Sequence, residues 1–403
     1  MKKIYFVFII IIACADAAIS QSWTQKASIC DYARYGAIGC SCNGKGYTGL
    51  GEIVDGTYLN DFWEYDTTSN HWTRKANFPG GGRFAAVAYP VKGKIYVFFG
   101  FDNSQTSNND VWVYNPVTNI WTQKSVFPGH PRFCARGFVI SDSLIYIGTG
   151  TYNSSYDYLY DFWMYNPSNN TWTSKSDFPG SKRMGAVSFE INGTGYMGCG
   201  LYDLYTPEND FWKYNPSTDN WTAIPNLPAA PRCNQVGFVL NNEGYVGTGF
   251  DVTTFYKTFY KYNPQNNEWS QILTPPTDAR EVGFGFTLGN KGYFGAGWDY
   301  ANIYADFWSF DPVSPAAGEE KITNKTVKLY PNPAMNKINI SLQKSFDSQN
   351  RPYVSICNIQ GQTVIQQQLQ EETELDIFGL AKGIYLVKIS NENFSVIKKL
   401  IKE

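Results

Sequence analysis

Apolar and polar positions alternate over short runs along most of this chain, and no run keeps the spacing of an amphipathic helix. KIYVFFG (94–100) is β-branched and aromatic. DVWVYNP (110–116) alternates and stops at an Asn-Pro turn signal, and WTQKSVFP (121–128) alternates and stops at Pro. With the small apolar run RFAAVAYPVKG (83–93) ahead of them, these predict four short strands joined by tight connections. The group then recurs. Trp23, Trp72, Trp121, Trp172, Trp221 and Trp269 lie 49, 49, 51, 49 and 48 residues apart. Eleven residues after each stands an Arg: Arg34, Arg83, Arg132, Arg183, Arg232 and Arg280. A third landmark, Gly51, Gly100, Gly150, Gly200, Gly249 and Gly297, keeps the same period. A four-stranded unit repeated at this length predicts the blades of a β-propeller.

The ends of the repeat region complement each other. The chain enters at SWTQKAS (22–28), a fourth strand with no preceding three, and leaves at DFWSFDP (306–312), a third strand with no fourth. The N-terminal strand is therefore expected to complete the last of six blades and remove the open sheet edges. The expected fold is all-β, a six-bladed propeller over residues 21–312 followed by a small β-sandwich.

The Arg opening strand one, the Gly ending strand two, YNP after strand three and the Trp opening strand four together resemble the kelch family of propellers. The five Gly-x-Gly endings depart from that family's usual Gly-Gly. The resemblance implies a binding module, for a glycan or a surface protein. It implies two alternatives: a carbohydrate-active enzyme such as a sialic-acid-type mutarotase or epimerase, and a protein-interaction scaffold. Copper galactose oxidase chemistry, also found on kelch propellers, is excluded, because the chain's two His, His71 and His130, fall on opposite faces. No cofactor and no metal site are expected. Cys40-Ser-Cys42 has no second pair to complete a ligand set. The remaining Cys show no repeated spacing that would mark a disulfide framework.

Residues 1–20 combine two Lys, an apolar run and small residues at Ala18 and Ser20, the pattern of a cleaved signal peptide. Cys14 offers a lipoprotein alternative. Residues 313–326 are small and polar, a linker. Residues 327–403 resemble the C-terminal sorting domain of type IX secretion substrates in Bacteroidetes. The matching residues are Tyr330, Pro331, Asn332 and Pro333, the NIQGQ run (358–362), and GLAKGIYLVKI (379–389) with Gly383 and Tyr385. This resemblance implies export to the outer surface or beyond by the type IX machinery. A net charge of -2 leaves no basic surface for nucleic acid. No other run is long enough to span a membrane, and a monomer is expected.

A residue present in every blade answers a need of every blade. The six Arg are therefore read as structural, paired with Asp61, Asp110, Asp161, Asp210 and Asp306 at the start of strand three. Blade five has Thr258 in that position, which would free Arg232 for a ligand. The outer-strand Trp are read as packing between blades. Function is sought in what does not repeat. Glu281 stands where other copies have Tyr35, Phe84, Phe133, Met184 and Cys233, and is either the partner of Arg280 or a proton shuttle. Trp298, with Asp299 and Tyr300, is the Trp outside the repeat positions, and suits stacking against a sugar ring. Ligand-binding candidates are thus Arg232, Glu281, Trp298, Asp299 and Tyr300. No catalytic residue is assigned beyond Glu281 as a candidate.

Overall fold

The computed structural model describes residues 20–29, 31–152, 157–314, 327–342, 352–358, 363–370, 372–390 and 395–403. The signal segment with Cys14, the linker from residue 315 and most of NIQGQ lie outside these residues. The chain divides into two compact units, Met1–Ser314 and Pro315–Glu403.

Among the described residues the first unit contains six four-stranded antiparallel sheets. The first is built from Ile38–Cys42, Lys45–Gly49, Phe62–Asp66 and His71–Arg74, and the next four repeat that order. In the sixth, Phe284–Leu288, Lys291–Gly295 and Phe307–Ser314 are joined by Ser20–Lys26, with Trp23 opposite Phe310. The last propeller strand thus runs through Ser314, two residues past the expected boundary.

Two circles of backbone hydrogen bonds tie the inner strands together. The second residue after each Arg (Gly36, Ala85, Cys134, Gly185, Asn234, Val282) donates its N–H to its counterpart in the preceding blade, at 2.8–3.2 Å, and Gly36 donates to Val282. All six have φ between +52 and +65, although only two are glycine. In the opposite sense, each landmark Gly donates to the carbonyl of the next blade's Arg. Gly51 reaches Arg83 at 2.7 Å, and Gly297 reaches Arg34 at 2.9 Å. At Gly51, φ is +89 and a Cβ would lie 2.7 Å from the Tyr35 carbonyl oxygen, so the recurrent Gly permits backbone contact.

The rim uses side chains. In the strand-three to strand-four hairpins, Asn70, Asn119, Asn170 and Asn267 take positive φ and accept the hydroxyl of the Tyr five residues earlier. Asn70, Asn119 and Asn170 also accept a backbone N–H from the preceding blade. The outer Trp return the favour: Trp72 Nε1 donates to Ala27, Trp121 to Ala76, Trp221 to Ser176 and Trp269 to Pro225, each four residues past the previous Trp. Trp23 Nε1 donates to Leu273, again four past the previous Trp, and Gln21 accepts the Leu273 N–H where blades one to three use Asn and blade four Asp219. Aromatic side chains fill the space between blades. Trp23 packs on Phe259, Phe294 and Phe310 with centroids 4.8–5.2 Å away.

In the second unit, Val327–Tyr330, Lys337–Leu342 and Glu372–Asp376 form one sheet. Thr363–Gln368, Tyr353–Cys357, Gly383–Ser390 and Ser395–Lys402 form the other. The two enclose one apolar core that includes Ile338, Ile340, Val354, Ile356, Val387 and Ile389. Asn332 binds the last strand at two points, donating to the Lys399 carbonyl at 2.6 Å and accepting from the Ile401 N–H at 2.9 Å. Tyr385 donates to the Ala381 carbonyl.

Trp23→Ala removes both an aromatic anchor and the hydrogen bond to Leu273. It is expected to lower unfolding free energy by about 3 kcal/mol, read by chemical denaturation. A midpoint equal to wild type would show that the N-terminal strand does not hold the ring.

Candidate binding face

The recurrent Arg side chains are buried inside the blades. Arg34 grips Asp61 through two parallel bonds of 2.6 and 2.7 Å, and Arg83 and Arg132 grip Asp110 and Asp161 likewise. Arg183 pairs with Asp210, and Arg280 with Asp306. Each Asp also accepts the indole N–H of the Trp two residues later (Trp63, Trp112, Trp163, Trp212, Trp308) at 2.7–2.9 Å. Burial alone would raise the carboxyl pKa of Asp161, but the Arg132 bond and charge hold it below its ordinary value.

Blade five is built differently. Arg232 is only 2% exposed. Its guanidinium meets Thr258 Oγ1 at 3.1 Å and lies 3.8 Å from the centroid of the Tyr256 ring, and burial lowers its pKa. Tyr260 replaces the indole donor. Ala229 stands where blades two to four have Gly and where blade six has Thr277, whose hydroxyl donates to Asp306 at 3.0 Å. Missing its Asp does not bring Arg232 to the surface, as the sequence alone had implied.

The residues after each Arg and each landmark Gly face one another across short bridges on the same side of the ring. The six pairs are Tyr35 with Glu52, Phe84 with Phe101, Phe133 with Thr151, Met184 with Leu201, Cys233 with Phe250, and Glu281 with Trp298. Blades two to five contribute mostly apolar pairs. Blades six and one contribute two carboxyls and two large aromatics. Trp298 stacks on Tyr35, with centroids 5.2 Å apart and planes 29° apart. Tyr300, 69% exposed, and Phe255 stand edge-on to the indole. The Tyr35 hydroxyl hydrogen-bonds Glu52, and burial raises both of their pKa values.

Glu281 is 5% exposed and makes no pair with Arg280. Asn234 Nδ2 donates to its Oε2 at 2.9 Å, and the Trp298 indole and the Cys233 thiol also reach it. Burial outweighs these bonds and raises its pKa from the ordinary 4.5 to about 7. Gly185 makes this arrangement possible, because a Cβ there would fall 2.3 Å from Asn234 Oδ1. Asp299 is occupied within its own loop. It accepts the N–H groups of Ala301 and Asn302 and the Tyr304 hydroxyl, which leaves it a turn-forming residue. Among the described residues no group of three His, Cys, Asp or Glu could hold a metal ion.

Tyr35, Glu52 and Asn234 were not among the sequence candidates. Glu52 was detectable, since it occupies the position of Phe101, Thr151, Leu201, Phe250 and Trp298. Asn234 occupies that of Gly36, Ala85, Cys134, Gly185 and Val282.

Two outcomes follow from this geometry. With a folded pKa above its unfolded value, Glu281 binds more protons folded than unfolded, so its contribution to stability is lost as pH rises from about 4.5 to about 7. Denaturation midpoints across that window should fall more steeply in wild type than in Glu281→Gln, a difference of order 3 kcal/mol. Equal slopes would place the titration elsewhere. Thr258→Asp would give Arg232 the carboxylate that Arg280 has in Asp306, where Thr277 takes the position of Ala229, and should stabilise by about 1–3 kcal/mol in the same assay.

Residues 328–403 match the family model described as "Secretion system C-terminal sorting domain". Residues 20–191 match that of the "KLHDC2/KLHL20/DRC7 Kelch-repeats domain". No curated protein sequence matches the chain. Among solved structures, one titled "Structure of YjhT" aligns with a TM-score of 0.62 at 17% identity, covering 70% of this chain and 95% of that one. At that identity the likeness is one of fold. The chain thus has an all-β fold of the β-propeller kind, with residues 20–191 matching kelch repeats and residues 328–403 matching a secretion-system C-terminal sorting domain.

Proposed function

We propose that this protein is an exported binding module that takes a glycan on the aromatic patch where blades six and one meet. The observation that carries the reading is the Tyr35–Trp298 stack, flanked by Glu52 on one side and Glu281 on the other. No other blade has a carboxyl at these bridged positions, so the propeller does not require Glu52 or Glu281 there. A sugar presents an axial C–H face to an indole and hydroxyls to neighbouring acceptors. The patch offers carboxyl groups and no exposed guanidinium, since Arg232 is buried, which favours neutral sugar hydroxyls over an acidic sugar. Tyr300 extends the surface outward.

A second reading rests on Glu281 itself. A carboxyl with a pKa of about 7 is present in both protonation states near neutrality, as a general acid–base group needs. It supports a mutarotase or epimerase acting on a sugar bound at the same patch. A third reading makes the face a protein-docking surface.

The sorting domain supports delivery by the type IX machinery to the cell surface or outside. A signal peptide over residues 1–20, or lipidation at Cys14, would start that route.

A glycan array on the purified protein separates sugar from protein partners. For a sugar it selects, Trp298→Ala should weaken binding ten- to a hundredfold, taking stacking as roughly 1–3 kcal/mol. Arg83→Ala should mainly lower stability. Equal weakening by both at unchanged melting temperature would mean that the ligand reads the Arg ring. Proton-exchange NMR on the free sugar tests the second reading, which predicts that wild type accelerates anomer exchange and Glu281→Gln does not.

A further inference from the structure

The inner strands leave a channel along the propeller axis, a cavity of about 140 Å³ that starts at the first circle of backbone hydrogen bonds. Its wall is apolar or small almost everywhere, because every blade brings the same positions there. Four residues after the Arg stand Ile38, Val87, Val187, Val236 and Phe284, but blade three has Arg136. Three after the Arg stand Ala37, Ala86, Ala135, Ala186 and Gly283, but blade five has Gln235. Five after the Arg stand Gly39, Ala88, Gly137, Gly237 and Gly285, but blade four has Ser188.

These three intrusions occupy neighbouring blades, so one side of the channel is polar and the other apolar. Arg136 Nη1 donates to the Ala135 carbonyl at 2.8 Å, and no carboxylate among the described residues pairs with it. Gln235 is 3% exposed, and neither its Nε2 nor its Oε1 has a hydrogen-bond partner. Arg136 is half-buried with no counter-charge among the described residues, and a buried amide without a partner, as at Gln235, is costly. Five sister blades show that the fold forms without either. Ser188 differs, since its hydroxyl already donates to the Gly137 carbonyl at 2.6 Å.

We propose that the axial channel is a binding site for a small carboxylate, its oxygens on Arg136 with Gln235 donating from the same wall, and its short apolar tail against the opposite wall. Planar bidentate recognition is what a guanidinium provides and an ammonium does not. The cavity admits an anion of acetate or propionate size. The site is separate from the aromatic patch and does not depend on the glycan reading.

Sodium acetate titrated against the full chain tests it, with gluconate at equal ionic strength as a bulky control. Wild type should show a saturable rise in melting temperature with acetate at up to about 100 mM, and none with gluconate. Arg136→Val restores the residue type of the sister blades and is expected to fold. It should abolish the acetate response, and Gln235→Ala should weaken apparent affinity at least about fivefold. An acetate response that survives Arg136→Val, or equal shifts with acetate and gluconate in wild type, would overturn the proposal, as would no response in wild type. Should Arg136→Val fail to fold, Arg136→Lys serves instead, with at least about a tenfold loss of acetate affinity expected and an unchanged affinity refuting the site.

Discussion

Each blade sends one backbone hydrogen bond backwards around the axis and one forwards, and the rest of the propeller is arranged to keep those two circles intact. The backward bond comes from a residue at positive φ. The forward bond comes from the landmark Gly and ends on the carbonyl of the next blade's Arg. The Arg is therefore a junction. Its backbone joins two blades, while its side chain fastens the end of strand two to the start of strand three within its own blade. Placing a guanidinium there requires a buried counter-charge, which the Asp supplies, and the indole of the following Trp orients that Asp. Removing one partner of such a pair leaves an uncompensated charge, a loss of several kcal/mol.

Blade five shows the same constraint met by other means. Asp and Trp have changed together to Thr258 and Tyr260, and an aromatic face at Tyr256 covers the cation. Arg280 lies as close to Tyr304 and keeps its Asp, so the aromatic face alone does not displace the carboxylate. The lack of a carboxyl at Thr258 accounts for the difference, since Thr277 carries a Cβ at the position of Ala229 and stands beside Asp306. A departure from the repeat thus signals either function or repacking. Whether neighbouring positions supply a partner distinguishes them: Thr258 and Tyr256 do for Arg232, while among the described residues no carboxylate pairs with Arg136 and no hydrogen bond satisfies the Gln235 amide.

Much of this was legible in the chain. The landmarks register the blades, the incomplete end strands point to each other, and the Arg–Asp pairing follows from co-occurrence in five units. Other features were not readable, for physical reasons. Asp299 looked available because its turn was not recognised as recurrent, yet Asp102 and Asp251 stand at the same distance from the landmark Gly and accept backbone N–H groups of their own loops likewise. Glu281 looked like a partner for Arg280 because adjacency in sequence suggested contact. Consecutive residues here point apart, one into the blade and one onto the face. Tyr35 and Glu52 were read as ordinary members of the first blade. Recognising them requires knowing that the positions after the Arg and after the Gly are bridged.

The placement of that patch depends on how the ring is joined. Glu281 and Trp298 come from near the end of the propeller and Tyr35 and Glu52 from its start, and they meet because Ser20–Lys26 pairs with Phe307–Ser314. The Gly36–Val282 and Gly297–Arg34 hydrogen bonds cross the same seam, directly beside the stacked aromatics. Loosening the first strand therefore disturbs the patch before it disturbs blades three or four, which close their contacts through continuous chain. A ligand seated on Tyr35 and Trp298 bridges the seam in turn. Any affinity it has for the closed ring over an opened one is recovered as stability of the N-terminal strand.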